Sequence, residues 1–207
     1  MKKNILLLAM GLAISAVAAQ APAESKPTTA LVGVAQAGKT KSETCGGCHG
    51  PDGNPSAPVF PKLAGQHPSY LTKQLREFRS QKRLDQAVMN AMAESLTDAD
   101  IADISAWFGS NASKPEAVEK NELGGHLFRS GISAKSVPAC AACHGPKGEG
   151  NPTSVYPAVG GQYSAYIAKS LHDYKSGERQ SEIMQAIAVR LSDDEINAVS
   201  DYASGLH

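Results

Sequence analysis

Apolar residues along much of this chain recur at helical intervals. Leu71, Leu75 and Phe78 fall at i, i+4 and i+7, the spacing that puts side chains on one face of an α-helix. Ile167, Leu171 and Tyr174 repeat that stripe further on. Two more helices should open at "TDAD" (97–100) and "SDDE" (192–195), where a Thr or Ser three residues ahead of an acid predicts a capping box. Ile101, Ile104 and Phe108 line the first of these helices, and Ile196, Val199 and Ala203 line the second. The Gly- and Pro-rich stretches 50–66 and 145–162 read as loops. No segment alternates as a strand, so the pattern predicts an all-α fold.

The start departs from this amphipathic pattern. "MKKNILLLAMGLAISAVAAQAPA" has a basic pair, an apolar run from Ile5 to Ala19 and then small residues, the layout of a secretory signal peptide. That run is shorter than the roughly 20 residues that comfortably span a bilayer. Residues 1–23 are therefore expected to be a signal peptide cleaved between positions 18 and 23, with an uncleaved anchor as the alternative. No cysteine near the junction would accept a lipid.

The rest of the chain is written twice. "TCGGCHGPDGNP" returns as "ACAACHGPKGEGNP" 95 residues later. "VFPKLAGQHPSYLTKQLREFRS" is answered by "VYPAVGGQYSAYIAKSLHDYKS" at an offset of 96, and "VMNAMAESLTDADIADISAWF" by "IMQAIAVRLSDDEINAVSDYA" at 95. A period this long, seen twice, means two similar domains rather than a solenoid. Polar "SNASKPEAVEKN" joins them, which sets the expected bounds at 24–112 and 113–207. Domains of roughly 90 residues are small for a self-sufficient hydrophobic core. Aromatic residues make up only 5% of the chain, so a large buried apolar group would supply mass that the side chains lack.

Composition excludes some partners. Without Lys2 and Lys3 the chain has 18 basic and 20 acidic side chains. That near balance gives no electrostatic footprint for nucleic acid or a strongly anionic surface.

The four cysteines carry the candidate chemistry. Cys45, Cys48 and His49 are matched by Cys140, Cys143 and His144, with no cysteine left over. Disulfides are common in exported chains, but a disulfide framework does not need a histidine after each pair. A zinc site would need four ligands, fusing both copies of the repeat around one ion. A thioredoxin-like dithiol would want a βαβ setting, which the helical pattern lacks. Covalent haem attachment needs two thiols for two vinyl groups and a base reaching the iron from the same side. Cysteines three apart on a helical turn, followed by histidine, meet those demands. The expected cofactors are two covalently bound haem c groups, held by Cys45 and Cys48 and by Cys140 and Cys143.

Each iron then needs a sixth ligand. Beyond the leader the methionines are Met89, Met92 and Met184. The repeat aligns Met89 with Met184 and Met92 with Ile187, and both His49–Met89 and His144–Met184 are 40 residues apart. The expected axial ligands are therefore His49 with Met89 and His144 with Met184, leaving Met92 as packing. A soft thioether favours ferrous iron and raises the reduction potential. With both sites closed, such irons pass electrons rather than bind small substrates. Pro61 and Pro157, on the loops after the histidines, are candidates to receive the ligand N–H, or simply stiffen turns. Gln66 and Gln162 are candidates for a propionate. His67, His126, His172 and His207 have no histidine at the equivalent position of the repeat and read as solvated side chains.

The tandem "CxxCH" motifs, "FPKLAGQ" with "YPAVGGQ", the "YLxKQL" and "YIAKSL" helices, the two methionine segments and the terminal "SGLH" resemble the dihaem cytochrome c4 family. The resemblance covers nearly every residue after the leader. It implies two cytochrome c domains related by approximate two-fold symmetry, their haems facing across the interface. It further implies a periplasmic electron carrier, not an enzyme, working between a quinol-oxidising cytochrome complex (a quinol–cytochrome c oxidoreductase) and a terminal oxidase. Peripheral membrane association stays open. "FPKL" also resembles the cytochrome c loop whose proline carbonyl receives the ligand histidine, and "YPAV" departs from it. The alternatives are the cytochrome subunit of an exported dehydrogenase and a dihaem peroxidase; a peroxidase would need one iron able to open a coordination site.

Overall fold

The computed structural model describes residues 31–84, 88–116, 118–119 and 121–207; the leader lies outside them. The first domain contains α1 (Ala35–Lys41), α2 (Glu43–His49), α3 (Pro68–Arg79), α4 (Val88–Glu94) and α5 (Asp98–Ser110). The second contains α6 (Glu122–Ser130), a 3₁₀ turn (Ser133–Lys135), α7 (Ala141–His144), α8 (Ser164–Ser176), α9 (Glu182–Ala188) and α10 (Asp193–Ser204). Among the described residues there is no strand, only isolated bridges between Ile132 and Val137 and between Asn151 and Tyr156. None of their helices is long and apolar enough to cross a membrane.

Both expected capping boxes form. Thr97 accepts from the Asp100 amide while the Asp100 carboxylate accepts from the Thr97 amide, and Ser192 and Glu195 do the same. Each box satisfies two orphan donors and fixes where the helix begins. Beyond the caps, the stripes turn inward: Ile101, Ile104 and Phe108 on α5 and Ile196, Val199 and Ala203 on α10 are all buried. Leu71 and Phe78 on α3 are buried as well.

Two elements, α1 and α6, cross their partners at glycines, and α1 comes without such a stripe. "AQAGKTK" offers no apolar face, yet α1 packs closely on α5. Gly38 makes that possible, because a Cβ there would sit 1.9 Å from the Asp103 carbonyl oxygen. Lys41 then reaches Asp100 and Asp103, both at 2.7 Å. In the second domain a Cβ on Gly124 of α6 would sit the same 1.9 Å from the Ala198 carbonyl oxygen on α10. A side chain at either glycine would force the helices apart.

Loop residues supply many of the ties between the domains. The Gln66 side chain donates to the Ala158 carbonyl at 2.8 Å and accepts from the Ala158 amide at 2.9 Å. Gln162 mirrors it, donating to the Lys62 carbonyl at 2.9 Å and accepting from the Lys62 amide at 3.0 Å. Both glutamines are buried. Both glutamines thus form a pair of ties to backbone of the opposite domain. Around them Lys62 Nζ donates to the Gly161 and Lys114 carbonyls at 2.9 and 2.6 Å, above the Tyr163 ring at 4.4 Å. The Tyr163 hydroxyl in turn donates to the Pro55 carbonyl.

Candidate haem sites

Helix α2 holds Cys45, Cys48 and His49 within one turn and a half, and α7 with its N-cap Cys140 holds Cys143 and His144 likewise. Cys45 is half-buried against Leu71, Ile104 and Phe108, whereas Cys48 is exposed. Cys140 packs on the second domain's core and Cys143 is half-buried. Burial pushes the Cys45 thiol up, and pushes Cys140 up to about 11. A redox dithiol works through a thiolate favoured by its surroundings; here the inner thiol of each pair is held protonated. The two pairs belong to separate cores, so they do not converge on one zinc. A half-buried thiol beside an exposed or half-exposed one, at the rim of an apolar core, suits two bonds to the edge of a flat apolar group.

Both histidines are oriented the same way. His49 Nδ1 donates to the Pro61 carbonyl at 3.0 Å, and His144 Nδ1 to the Pro157 carbonyl at 2.9 Å. Placing the proton on Nδ1 makes Nε2 the ring's Lewis base and fixes the plane in which it offers its lone pair. The prolines thus do more than stiffen turns, and "YPAV" serves as well as "FPKL". Burial holds His144 below the usual imidazole value, opposed by its bond to Pro157, which keeps the ring neutral as a metal ligand must be. Phe60 stands edge-on to His49 at 6.1 Å between centroids, and Tyr156 is tilted against His144 at 6.4 Å. These aromatics occupy equivalent positions of the repeat and brace the rings.

The methionines sit on the short helices α4 and α9. Met89 is half-buried at the first turn of α4, while Met92 on the same helix is more exposed, at 39%. Asn90 anchors α4 to the end of α3, donating to the Phe78 and Arg83 carbonyls, both at 2.8 Å. In the second domain the cap Ser181 starts α9, and Met184 packs against the same core as Cys140. The structure thus brings a cysteine and the methionine to one core in the second domain. In the first domain, Cys45 lines the core and Met89 lies on the helix that packs against α3.

Of the other histidines, His126 and His207 are exposed and His172 is partly exposed, its Nδ1 4.0 Å from Asp193. His67 differs from expectation: its Nε2 lies 2.7 Å from the Glu149 carbonyl of the other domain, which makes it a contact across the interface.

The profile of the Cytochrome c family matches this chain twice, at residues 35–112 and 131–206. Cytochrome c4 of Azotobacter vinelandii is 42% identical over 195 residues, covering 84% of this chain and 90% of that one. The crystal structure of reduced recombinant cytochrome c4 from Pseudomonas stutzeri superposes with a TM-score of 0.80 at 39% identity, covering 85% of this chain and all of that one. A thiosulfate dehydrogenase electron acceptor of Stutzerimonas stutzeri is 34% identical over 167 residues, 76% of either chain. With two helical domains, two "CxxCH" turns and two histidines oriented by proline carbonyls, the chain belongs to the cytochrome c family, as a tandem pair of cytochrome c domains of the cytochrome c4 type carrying two covalently bound haem c groups.

Proposed function

We propose that this dihaem electron-transfer cytochrome is a periplasmic carrier, not an enzyme, shuttling single electrons from a quinol-oxidising cytochrome complex to a terminal oxidase. Residues 1–23 would direct export, and the haem domains would span 24–112 and 113–207. The observation that carries the reading is the matched pair of histidine–proline contacts at 3.0 and 2.9 Å. Haem iron with both axial positions filled supplies reversible one-electron chemistry and no site for substrate.

In this reading Cys45 and Cys48 attach one haem and Cys140 and Cys143 the other. His49 and Met89 ligate the first iron, and His144 and Met184 the second. Pro61 and Pro157 hold each imidazole in a single tautomer and orientation, so no ligand has to move when the charge changes. The half-buried thioether on α4 or α9 biases its iron toward the ferrous state. The glutamine ties keep the two domains in fixed register while electrons pass.

The 34% likeness to a thiosulfate dehydrogenase electron acceptor favours a second reading, in which an exported dehydrogenase is the donor. Haem content, carbon monoxide binding and donor assays on the purified protein test both. Two non-extractable haems, both low-spin and slow to bind carbon monoxide, are expected. Rapid carbon monoxide binding to the untreated ferrous protein would overturn the closed-site carrier, and reduction by thiosulfate dehydrogenase but not by the quinol-oxidising complex would select the second reading.

A further inference from the structure

Each proline carbonyl that orients a histidine belongs to a peptide unit whose other end is held from across the interface. In the first domain the Pro61 carbonyl accepts from His49 Nδ1 at 3.0 Å. The N–H of that same peptide, carried by Lys62, donates to Gln162 Oε1 at 3.0 Å. In the second domain the Pro157 carbonyl accepts from His144 Nδ1 at 2.9 Å, and the Ala158 N–H donates to Gln66 Oε1 at 2.9 Å. Each histidine is therefore linked through a single peptide to a glutamine of the opposite domain. The link occurs twice, and it is crossed. Both glutamines are firmly placed for it. Gln66 is 8% exposed and Gln162 9%, so little water competes for these bonds. Each oxygen also accepts from the amide of the residue that follows it, Tyr163 after Gln162 and His67 after Gln66, both at 3.0 Å. With two N–H groups aimed at it, that atom is the oxygen and not the amide nitrogen. A tie between domains could use any backbone group at the interface, and both of these use the peptide that holds an imidazole.

A peptide that donates at its N–H carries more negative charge on its carbonyl oxygen. Hydrogen bonds chained in this way strengthen one another by about 10–30% per bond. The Pro61 carbonyl, polarised by Gln162, therefore pulls harder on the His49 Nδ1 proton, and the Pro157 carbonyl, polarised by Gln66, does the same to His144. A ring whose Nδ1 proton is drawn away is a more basic ligand at Nε2. Greater basicity favours ferric iron, so the glutamine opposes the soft thioether on the other side, which favours ferrous iron.

We propose that Gln162 tunes the haem of the first domain and Gln66 the haem of the second, each acting across the interface through the peptide that orients the ligand histidine. Both are positioning residues, since they act through the Pro–Lys or Pro–Ala peptide. The proposal rests on His49 and His144 being iron ligands, which haem content and spin state test separately. Its consequence is that the docking of one domain on the other enters the electron affinity of both, in a crossed sense.

Spectroelectrochemical titration of the holoprotein at neutral pH, together with the NMR resonances of both histidine ring N–H protons in the ferrous state, tests this on Gln162→Leu, Gln66→Leu, Gln162→Glu and Gln66→Glu. Gln162→Leu should raise the ferrous/ferric ratio of the first domain's haem about three-fold, ~28 mV for a one-electron couple at ~59 mV per ten-fold. It should also move the His49 Nδ1 proton upfield and leave His144 and its haem as they were. Gln66→Leu should act on His144 and the second haem alone. A carboxylate accepts more strongly than an amide, so each Glu variant should move the same haem as its Leu counterpart in the opposite sense, with the Nδ1 proton downfield. Where a Leu variant does not fold, the Glu variant decides. Looser packing between the domains, or a changed field, would act differently. Equal shifts of both haems, or a shift confined to the haem of the substituted domain, would overturn the proposal. So would potentials that move while both Nδ1 protons stay in place, or two unchanged potentials in a folded variant with two low-spin haems. A high-spin haem in the unaltered holoprotein would instead overturn the ligand reading beneath it.

Discussion

The first and second domains hold their histidines alike and fill their cores differently. His49 and His144 meet proline carbonyls at 3.0 and 2.9 Å, and capping boxes open both last helices. Yet in the first domain the large buried apolar residues are Leu71, Phe78, Ile101, Ile104 and Phe108, with only Leu71, Ile104 and Phe108 in one packed cluster. That of the second gathers Leu127, Phe128, Val137, Leu171, Leu191, Ile196, Val199 and Ala203. Helix α6 contributes Leu127 and Phe128 to that core, whereas α1 in the same place buries only Gly38. The site geometry is kept constant while the apolar mass around it varies. Among the described residues the first domain buries fewer large apolar side chains, so its haem is expected to supply more of its core.

Removing one haem at a time tests that asymmetry with the largest expected effect. Cys45→Ala with Cys48→Ala, and Cys140→Ala with Cys143→Ala, should each leave one haem per chain. The first pair should cost more helical circular dichroism and a greater drop in Tm than the second. Equal losses would mean that the side-chain cores do not decide the matter, and two haems remaining in either variant would refute double attachment.

Ligand substitutions sharpen the comparison at the irons. Met89→Ala and Met184→Ala should each remove one haem's share of the near-infrared sulfur-to-iron band, open that iron to carbon monoxide and lower its potential. Met92→Ile should leave the band intact, with a packing effect under about 1.5 kcal/mol, because Ile187 already fills that position in the second domain. Loss of the band in Met92→Ile with its survival in Met89→Ala would show that the repeat register misassigns the ligand.

The contrast between domains also explains what could be read in advance. Helices with a stripe and a capping box, α5 and α10 above all, are specified locally, since spacing and cap chemistry act within a few residues. The proline carbonyls are local too, twelve or thirteen residues from their histidines. Helix α1 was not legible, because "AQAGKTK" becomes helical by lying against α5 and its one buried residue is a glycine. Nor were the roles of Gln66, Gln162 and His67, whose partners lie about a hundred residues away in the other domain. For the glutamines a signal was present in the repeat, where they recur in register at 96. Register says that two positions are equivalent, but not that they reach across to each other.

The glutamine ties should behave as equals where the cores do not. Gln66→Ala leaves the Ala158 amide and carbonyl without their partner, and Gln162→Ala does the same to Lys62. Each buried group left unpaired costs roughly 1–3 kcal/mol. The two variants should therefore lower the denaturation midpoint by similar amounts, and the double variant should fall short of their sum if the ties act together. A large difference between them would mean that the interface is not two-fold in energy, only in pattern.

The smallest effect separates the two glycine crossings. Lys41 on α1 holds Asp100 and Asp103 on α5 at 2.7 Å, and this contact draws both carboxyls below the usual carboxylate range. A carboxyl depressed in the folded state adds stability that is present above its unfolded value near 3.9 and is lost as pH falls through its folded value. Lys41→Met should therefore lower the midpoint slightly at neutral pH, with the difference from the unaltered protein shrinking as pH drops below about 4. Part of the depression should survive, because Asp100 keeps its capping bonds from Thr97 and Asp103 its bond from the Val34 amide. At the second crossing Arg129 meets the Tyr202 hydroxyl at 2.6 Å and lies over its ring, without a carboxylate partner among the described residues. Arg129→Met should give a small loss that does not vary between pH 3 and 7. Denaturant titrations of both variants across that range check the pair, and an acid-dependent loss in Arg129→Met, or a pH-independent one in Lys41→Met, would reverse the assignment of the ion pair to the first domain alone.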